Sequence, residues 1–143
     1  MTLDNLLGSA LERIPFDASN IQRLLEAAQR SLADARLDSL SNESRFDLAY
    51  KAIMQTANAA LQASGYRTLT SRPGHHQTMI QTLPLSIGLD RTTMVVLDGL
   101  RKQRNVIDYS GDLVSASMVD EAVRQAENLL AQVELWWQAL DGN

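Results

Sequence analysis

An all-α fold, an antiparallel bundle of about five long helices plus one short helix, is what three features of this 143-residue sequence predict. Apolar residues recur every three or four positions through most of the chain. Capping and stop residues bracket those stretches, and no segment alternates convincingly as a strand. The spacing of Leu3, Leu6, Leu7, Ala10, Leu11 and Ile14 predicts a first amphipathic helix ended by Pro15. A second opens near Asp17 or Ser19 and carries Ile21, Leu24, Leu25, Ala28, Leu32 and Ala35. Ser41 or Asn42 caps a third, with Phe46, Ala49, Tyr50, Ile53, Ala57, Ala60 and Leu61 in one stripe up to Gly65. Between Gly65 and Gly88 the period fails: residues 65–74 have turn chemistry, and His75 to Leu83 suffices for two helical turns before Pro84. Asp90 caps the next helix, which ends near Tyr109-Ser110-Gly111-Asp112. In the last, Ser117 and Asp120 read as a capping box, and Val119, Ala122, Ala126, Leu129, Val133, Trp136 and Leu140 follow heptad-like spacing.

Length and composition fit residues 1–143 as a single domain, which at this size buries about two-thirds of its unfolded surface. The hydrophobic fraction of 45% and charged fraction of 21%, without like-charge blocks, exclude a disordered chain. Absence of cysteine removes disulfides, thiolate catalysis and cysteine-bound zinc. With no basic-then-apolar leader and no long apolar run, the expected location is the cytoplasm, with no membrane partner.

The net charge of −4 is unevenly spread. Residues 65–104 hold Arg67, Arg72, Arg91, Arg101, Lys102 and Arg104 against Asp90 and Asp98, four net positive charges beside eight net negative ones elsewhere. Such a segment offers a local phosphate site if it converges in space, and a solvated scatter of arginines if it does not. Signatures for P-loop nucleotide hydrolysis, dinucleotide binding, serine hydrolysis and zinc proteolysis are all missing. His75 and His76 diverge by about 100° on a helix and cannot chelate one ion as an i, i+4 pair would, so neither a metal nor another cofactor is expected. They remain candidates for acid–base work or phosphate contact, against a plain role in packing or capping their short helix. Trp136-Trp137 and Met54, Met79, Met94 and Met118 read as core or interface filling.

Arg104 is the anomaly. At about 100° per residue, Thr93, Val96, Leu97, Leu100 and Ile107 share a face, and Arg104 falls inside that stripe. A buried guanidinium needs a partner, so either Asp108, one turn on, neutralises it in a register-fixing pair, or it faces a crevice that accepts an anion.

The Gly65-Tyr66-Arg67 loop leading into Gly74-His75-His76, followed by Leu100-Arg101-Lys102-Gln103-Arg104-Asn105-x-x-Asp108-Tyr109 late on a helix, resembles HEPN-domain proteins, over roughly residues 20–138. Proteins of that family carry an arginine, a polar residue and, after about four to six intervening positions, a histidine. Arg104 and Asn105 match the first two, whereas Tyr109 stands where the histidine belongs. The resemblance implies a homodimer that brings two motifs into one cleft and an RNA or nucleotide ligand. It also implies a weak or degenerate metal-independent endoribonuclease of a toxin–antitoxin or defence system, or, alternatively, a noncatalytic interaction module pairing with a nucleotidyltransferase or antitoxin. The catalytic candidates are Arg104, Asn105, Tyr109, His75 and His76; Arg101, Lys102, Arg67 and Arg72 are the nucleic-acid-binding ones. A phenol of pKa about 10 is a poor general base at neutral pH, and losing acid–base catalysis costs about 10²–10⁴-fold in rate. On an ideal helix Arg104 and Tyr109 also lie about 140° apart, so convergence needs unwinding near Ser110-Gly111 or a twofold partner.

Overall fold

The computed structural model describes residues 1–141, and the last two positions of the expected 1–143 domain lie outside the described residues. The chain is predominantly helical, as predicted, and its caps were legible. Helix α1 (Ala18–Ala35) begins where Asp17 accepts from the Asn20 amide at 3.1 Å, and α2 (Asn42–Ala63) where Ser41 Oγ accepts from the Ser44 amide at 3.1 Å. Arg45 reaches back to donate to the Ala35 carbonyl at 2.8 Å, satisfying the open end of α1.

The N-terminal segment corrects the sequence reading. Leu3 to Ile14 form no long helix: a 3₁₀ turn at Leu3–Leu6 is followed by strand β1 (Leu11–Arg13). Gly8, at φ +83°, breaks the helical path between them, and β1 pairs antiparallel with β2 (Tyr66–Thr68), Glu12 opposite Arg67. Strands of three residues leave no alternation to detect. Their ladder pins the N-terminus over Leu61, where Leu3, Leu11 and Tyr66 make a small second core, and Tyr66 Oη donates to Asp4.

Helix α3 (His75–Gln81) is the expected short helix. Pro84 does not end it; it lies in the first turn of α4 (Leu83–Ser86), where its missing N–H has no helical partner to lose. Asp90 caps α5 (Arg91–Ser110) through the Thr93 amide at 3.0 Å, and Gly111, at φ +71°, closes it with its N–H on the Ile107 carbonyl. Helix α6 (Ala116–Asp141) starts two residues earlier than the proposed capping box: Ser115, not Ser117, accepts from the backbone, at the Met118 amide. Trp137 rather than Trp136 enters the core, Trp136 packs half-buried beside it, and Leu140 is exposed.

Among the described residues four long helices, α1, α2, α5 and α6, therefore replace the expected five. Arg36–Glu127, Gln29–Glu134 and Phe16–Trp137 contacts run α1 against α6 in opposite directions. Asn42 and Glu43 hold Val114 at the entrance to α6, so α2 and α6 start together, and Arg104 near Asp47 sets the C-terminal half of α5 against the start of α2. The order is up-down-up-down, with α2 central and clad in Ala49, Ala52, Ala57, Ala59 and Ala60, small residues that let neighbours approach closely. No helix among the described residues is long and apolar enough to cross a membrane.

Candidate functional site

One face of α2 repeats polar or amphipathic residues at Asp47, Tyr50, Lys51, Gln55 and Asn58, spaced by three or four positions so that they line up beside the apolar stripe. Against this face α3 sets His76 and Met79, and α5 sets Arg104. Together with Leu48 and Met54 they enclose an open cavity of about 400 Å³. Met54 and Met79, read from sequence as gap fillers, are thus walls of a recess.

The centre of the cavity is a Tyr50–His76–Arg104 cluster. Tyr50 Oη lies 3.1 Å from His76 Nδ1, and the Arg104 guanidinium sits 4.9 Å from the centroid of the Tyr50 ring. Burial pushes the Tyr50 phenol up to about 12, a rise that the Arg104 and Arg101 charges only partly offset. Burial likewise lowers the His76 pKa, helped by His75, Arg104 and Arg101. Both shifts favour a protonated phenol beside a neutral imidazole, a state in which Tyr50 Oη can donate to Nδ1 with the ring hydrogen on Nε2.

Arg104 is held loosely. Its Nε is 3.5 Å from Asp47 and 3.9 Å from Asp108, longer than the ~2.7–2.9 Å of a charge-assisted hydrogen bond. Its side chain is 32% exposed, and both carboxylates are about half exposed. The self-pair with Asp108 anticipated from sequence is therefore the longer of two ion pairs, and it does not seal the guanidinium away. Arg104 and Asp47 also wall a smaller recess with Phe46, Ile107 and Asp112. That recess continues along α5 into a groove of about 370 Å³ with Val106, Leu113 and Met118.

The other sequence candidates separate. His75 stays beside His76, ring centroids 4.7 Å apart and edge to face. Arg101 lies 2.7 Å from buried Asp98, and Lys102 lies 3.6 Å from the same carboxylate, so both serve that acid. Arg67 pairs with Glu12 across the small sheet, and Arg72 is exposed in the turn before α3. Asn105 is exposed, and Tyr109 is 92% exposed at the end of α5; neither lines the cavity. Tyr50, Asp47, Lys51, Gln55 and Asn58 were missed as site residues. The available signal was the polar stripe beside the core stripe on α2, which reads equally well as an ordinary solvated edge. Among the described residues no three His, Asp or Glu side chains converge to hold a metal ion.

Comparison of the chain with protein-family models, with curated proteins and with solved structures finds no match in any of the three.

Proposed function

We propose that the chain is a HEPN-like, dimeric RNA- or nucleotide-binding protein in which Arg104 receives a phosphate. The observation that carries this reading is a weakly paired, partly exposed guanidinium at a cavity that also holds a neutral imidazole. Arginine's planar fork matches phosphate oxygens two at a time, and the carboxylates now near it are too solvated to compete strongly. Single-stranded RNA or a nucleotide fits the remainder of the recess, which mixes apolar walls with polar edges. In a weak metal-independent endoribonuclease, Arg104 would stabilise charge on the phosphorane. His76, supplied by a different helix, would stand in for the imidazole that the HEPN resemblance expects at Tyr109. An RNA-binding protein of this kind would act in the cytoplasm.

A second copy of the chain is the proposed occupant of the apolar groove at the end of α5. Leu113 is 88% exposed, and Val106, 60% exposed, lines the groove with it. A patch of that kind marks a partner surface. Its recess leads to Arg104, so a twofold mate seated there would close over both sites. The same patch supports the alternative, a noncatalytic module whose partner is a nucleotidyltransferase or antitoxin. Ultracentrifugation separates the two: a dimer agrees with the first reading, a monomer with the second.

Binding is tested by fluorescence anisotropy with labelled single-stranded RNA. The expected result is affinity that falls steeply with salt and drops at least about tenfold in Arg104→Ala with the fold intact. Absence of binding to RNA or nucleotide at low ionic strength would end the proposal. Cleavage of labelled RNA in EDTA, lost in His76→Ala or His75→Ala, tests the catalytic form; undiminished cleavage in both variants removes those imidazoles from the chemistry.

A further inference from the structure

The end of the cavity away from Arg104 has a hydrogen-bonding character of its own. Gln55 and Asn58 stand three residues apart on α2, neighbours on one helix face. Each side-chain carbonyl is already engaged: Gln55 Oε1 accepts from Ser31 Oγ at 2.8 Å, and Asn58 Oδ1 accepts from Gln62 Nε2 at 3.2 Å. These bonds take one lone pair of each carbonyl and leave both NH₂ groups without a hydrogen bond among the described residues, so this end of the recess can offer two neutral donors. Met54 and Met79 supply polarizable apolar contact between the amides and the cationic end. From Lys51 to Gln55 and Asn58 the helix rises by about 6–10 Å, the scale on which one nucleotide separates its phosphate from the edge of its base.

We propose that the cavity holds a single unpaired nucleotide bearing a keto base, guanine or uracil, its carbonyl oxygen facing the Gln55 and Asn58 amides and its phosphate at Arg104 and Lys51. This deepens, and rests on, the reading of the chain as an RNA- or nucleotide-binding protein. Guanine offers O6 and N7 as adjacent acceptors, and uracil offers O4, all complementary to amide donors. Adenine and cytosine place an amino group at the equivalent edge, which sets donor against donor and leaves the protein amides unsatisfied in the recess. A purely electrostatic phosphate site would be indifferent to the base.

Calorimetric titration of the full chain with GMP, UMP, AMP and CMP, alongside labelled oligo-U, oligo-A and oligo-C, reads the selectivity directly. Expected is at least about a tenfold preference for GMP and UMP over AMP and CMP, with oligo-U above oligo-A and oligo-C. Asn58→Ala and Gln55→Ala should bring the four mononucleotides to within about twofold of one another, while keeping the Arg104-dependent part of the affinity. The wild-type ranking needs no variant and so stands even if one of them misfolds. Equal affinity for all four nucleotides, with RNA binding still dependent on Arg104, overturns the base assignment and leaves the proposed function in place. No binding of any mononucleotide or oligomer overturns both.

Discussion

Replacing Arg104 by alanine separates a binding arginine from a structural one, because the two roles predict losses of different size in different assays. Its ion pairs, at 3.5 and 3.9 Å to half-exposed carboxylates, belong to the surface class worth about 0–1 kcal/mol together. Its contact with the Tyr50 ring at 4.9 Å adds about 0.5–1 kcal/mol. The expected destabilisation is therefore about 0.5–2 kcal/mol, a Tm decrease of roughly 2–7 °C at this chain length. Removal of a charge-assisted phosphate contact costs about 1.5–3 kcal/mol of binding, a loss of roughly 10–150-fold, and should reduce the salt slope by about one. Leu97→Ala provides the scale for core damage: Leu97 is fully buried, and its truncation should cost about 3–5 kcal/mol. Urea unfolding and RNA anisotropy on the same preparations decide the matter. If Arg104→Ala unfolds as readily as Leu97→Ala while any RNA affinity of the folded fraction is untouched, the guanidinium is a register pin and the reasoning is refuted.

Three further outcomes follow from the same contacts. Arg101→Ala should destabilise by about 2–3 kcal/mol, more than Arg104→Ala, because it strips the 2.7 Å partner from buried Asp98; retention of Lys102 at 3.6 Å keeps the loss below that of a fully buried broken pair. Equal urea midpoints for the two variants would contradict it. Asp47→Asn frees Arg104 from its nearer carboxylate and should raise RNA affinity severalfold while changing stability by less than about 0.5 kcal/mol, which anisotropy and thermal melts will show. For His76, whose pKa is lowered in the fold by burial and by His75, Arg104 and Arg101, the unfolded chain takes up protons first as pH falls. Asp47, Asp98 and Lys51 also lie around the cluster. Stability should thus be level above about pH 6.5 and decline below it, less steeply in His76→Gln; identical slopes of urea midpoint between pH 7.5 and 5.5 would refute this assignment.

The long helices were legible because each couples a 3.6-residue stripe to a side-chain cap, as with Asp17, Ser41 and Asp90. Periodicity could not reveal that the apparent N-terminal stripe is broken by a positive-φ glycine and a three-residue strand, whose pairing depends on β2 more than fifty residues away. The Trp136–Trp137 error has a geometric origin. A heptad-like count from Val119 drifts by about 20° per seven residues against a straight helix, roughly 50° by Trp136, whereas at about 100° per residue Trp137 returns to the direction of Val119 and Trp136 points about 100° away. Within the site, Arg104 was visible as a charge in an apolar stripe. His76 was visible as a type of residue but not as its neighbour, since helix α3 comes to α2 only through tertiary packing. Tyr50 was hidden by its own apolar body: it sits in the core stripe of α2, and only the need of a buried phenol for a partner sets it apart.

The Arg101-Lys102-x-Arg104 run shows how one basic segment divides its labour. Asp98 is 8% exposed, and a carboxylate so placed must be neutralised from within the fold, which commits Arg101 and, more loosely, Lys102 to that acid. Arg104, one turn beyond Arg101 and turned toward α2, meets only acids that water already stabilises, so its charge remains available at small cost to the fold. Tyr50 reinforces the division from the other side. Its ring face holds the guanidinium by cation–π attraction, while its hydroxyl lies within hydrogen-bond reach of His76, whose pKa burial and the neighbouring positive charges lower. An anion arriving at Arg104 thus meets one unspent positive charge beside an uncharged imidazole, and it brings the negative charge that would raise the proton affinity of His76. Phosphate binding and His76 protonation are coupled in sign: each favours the other.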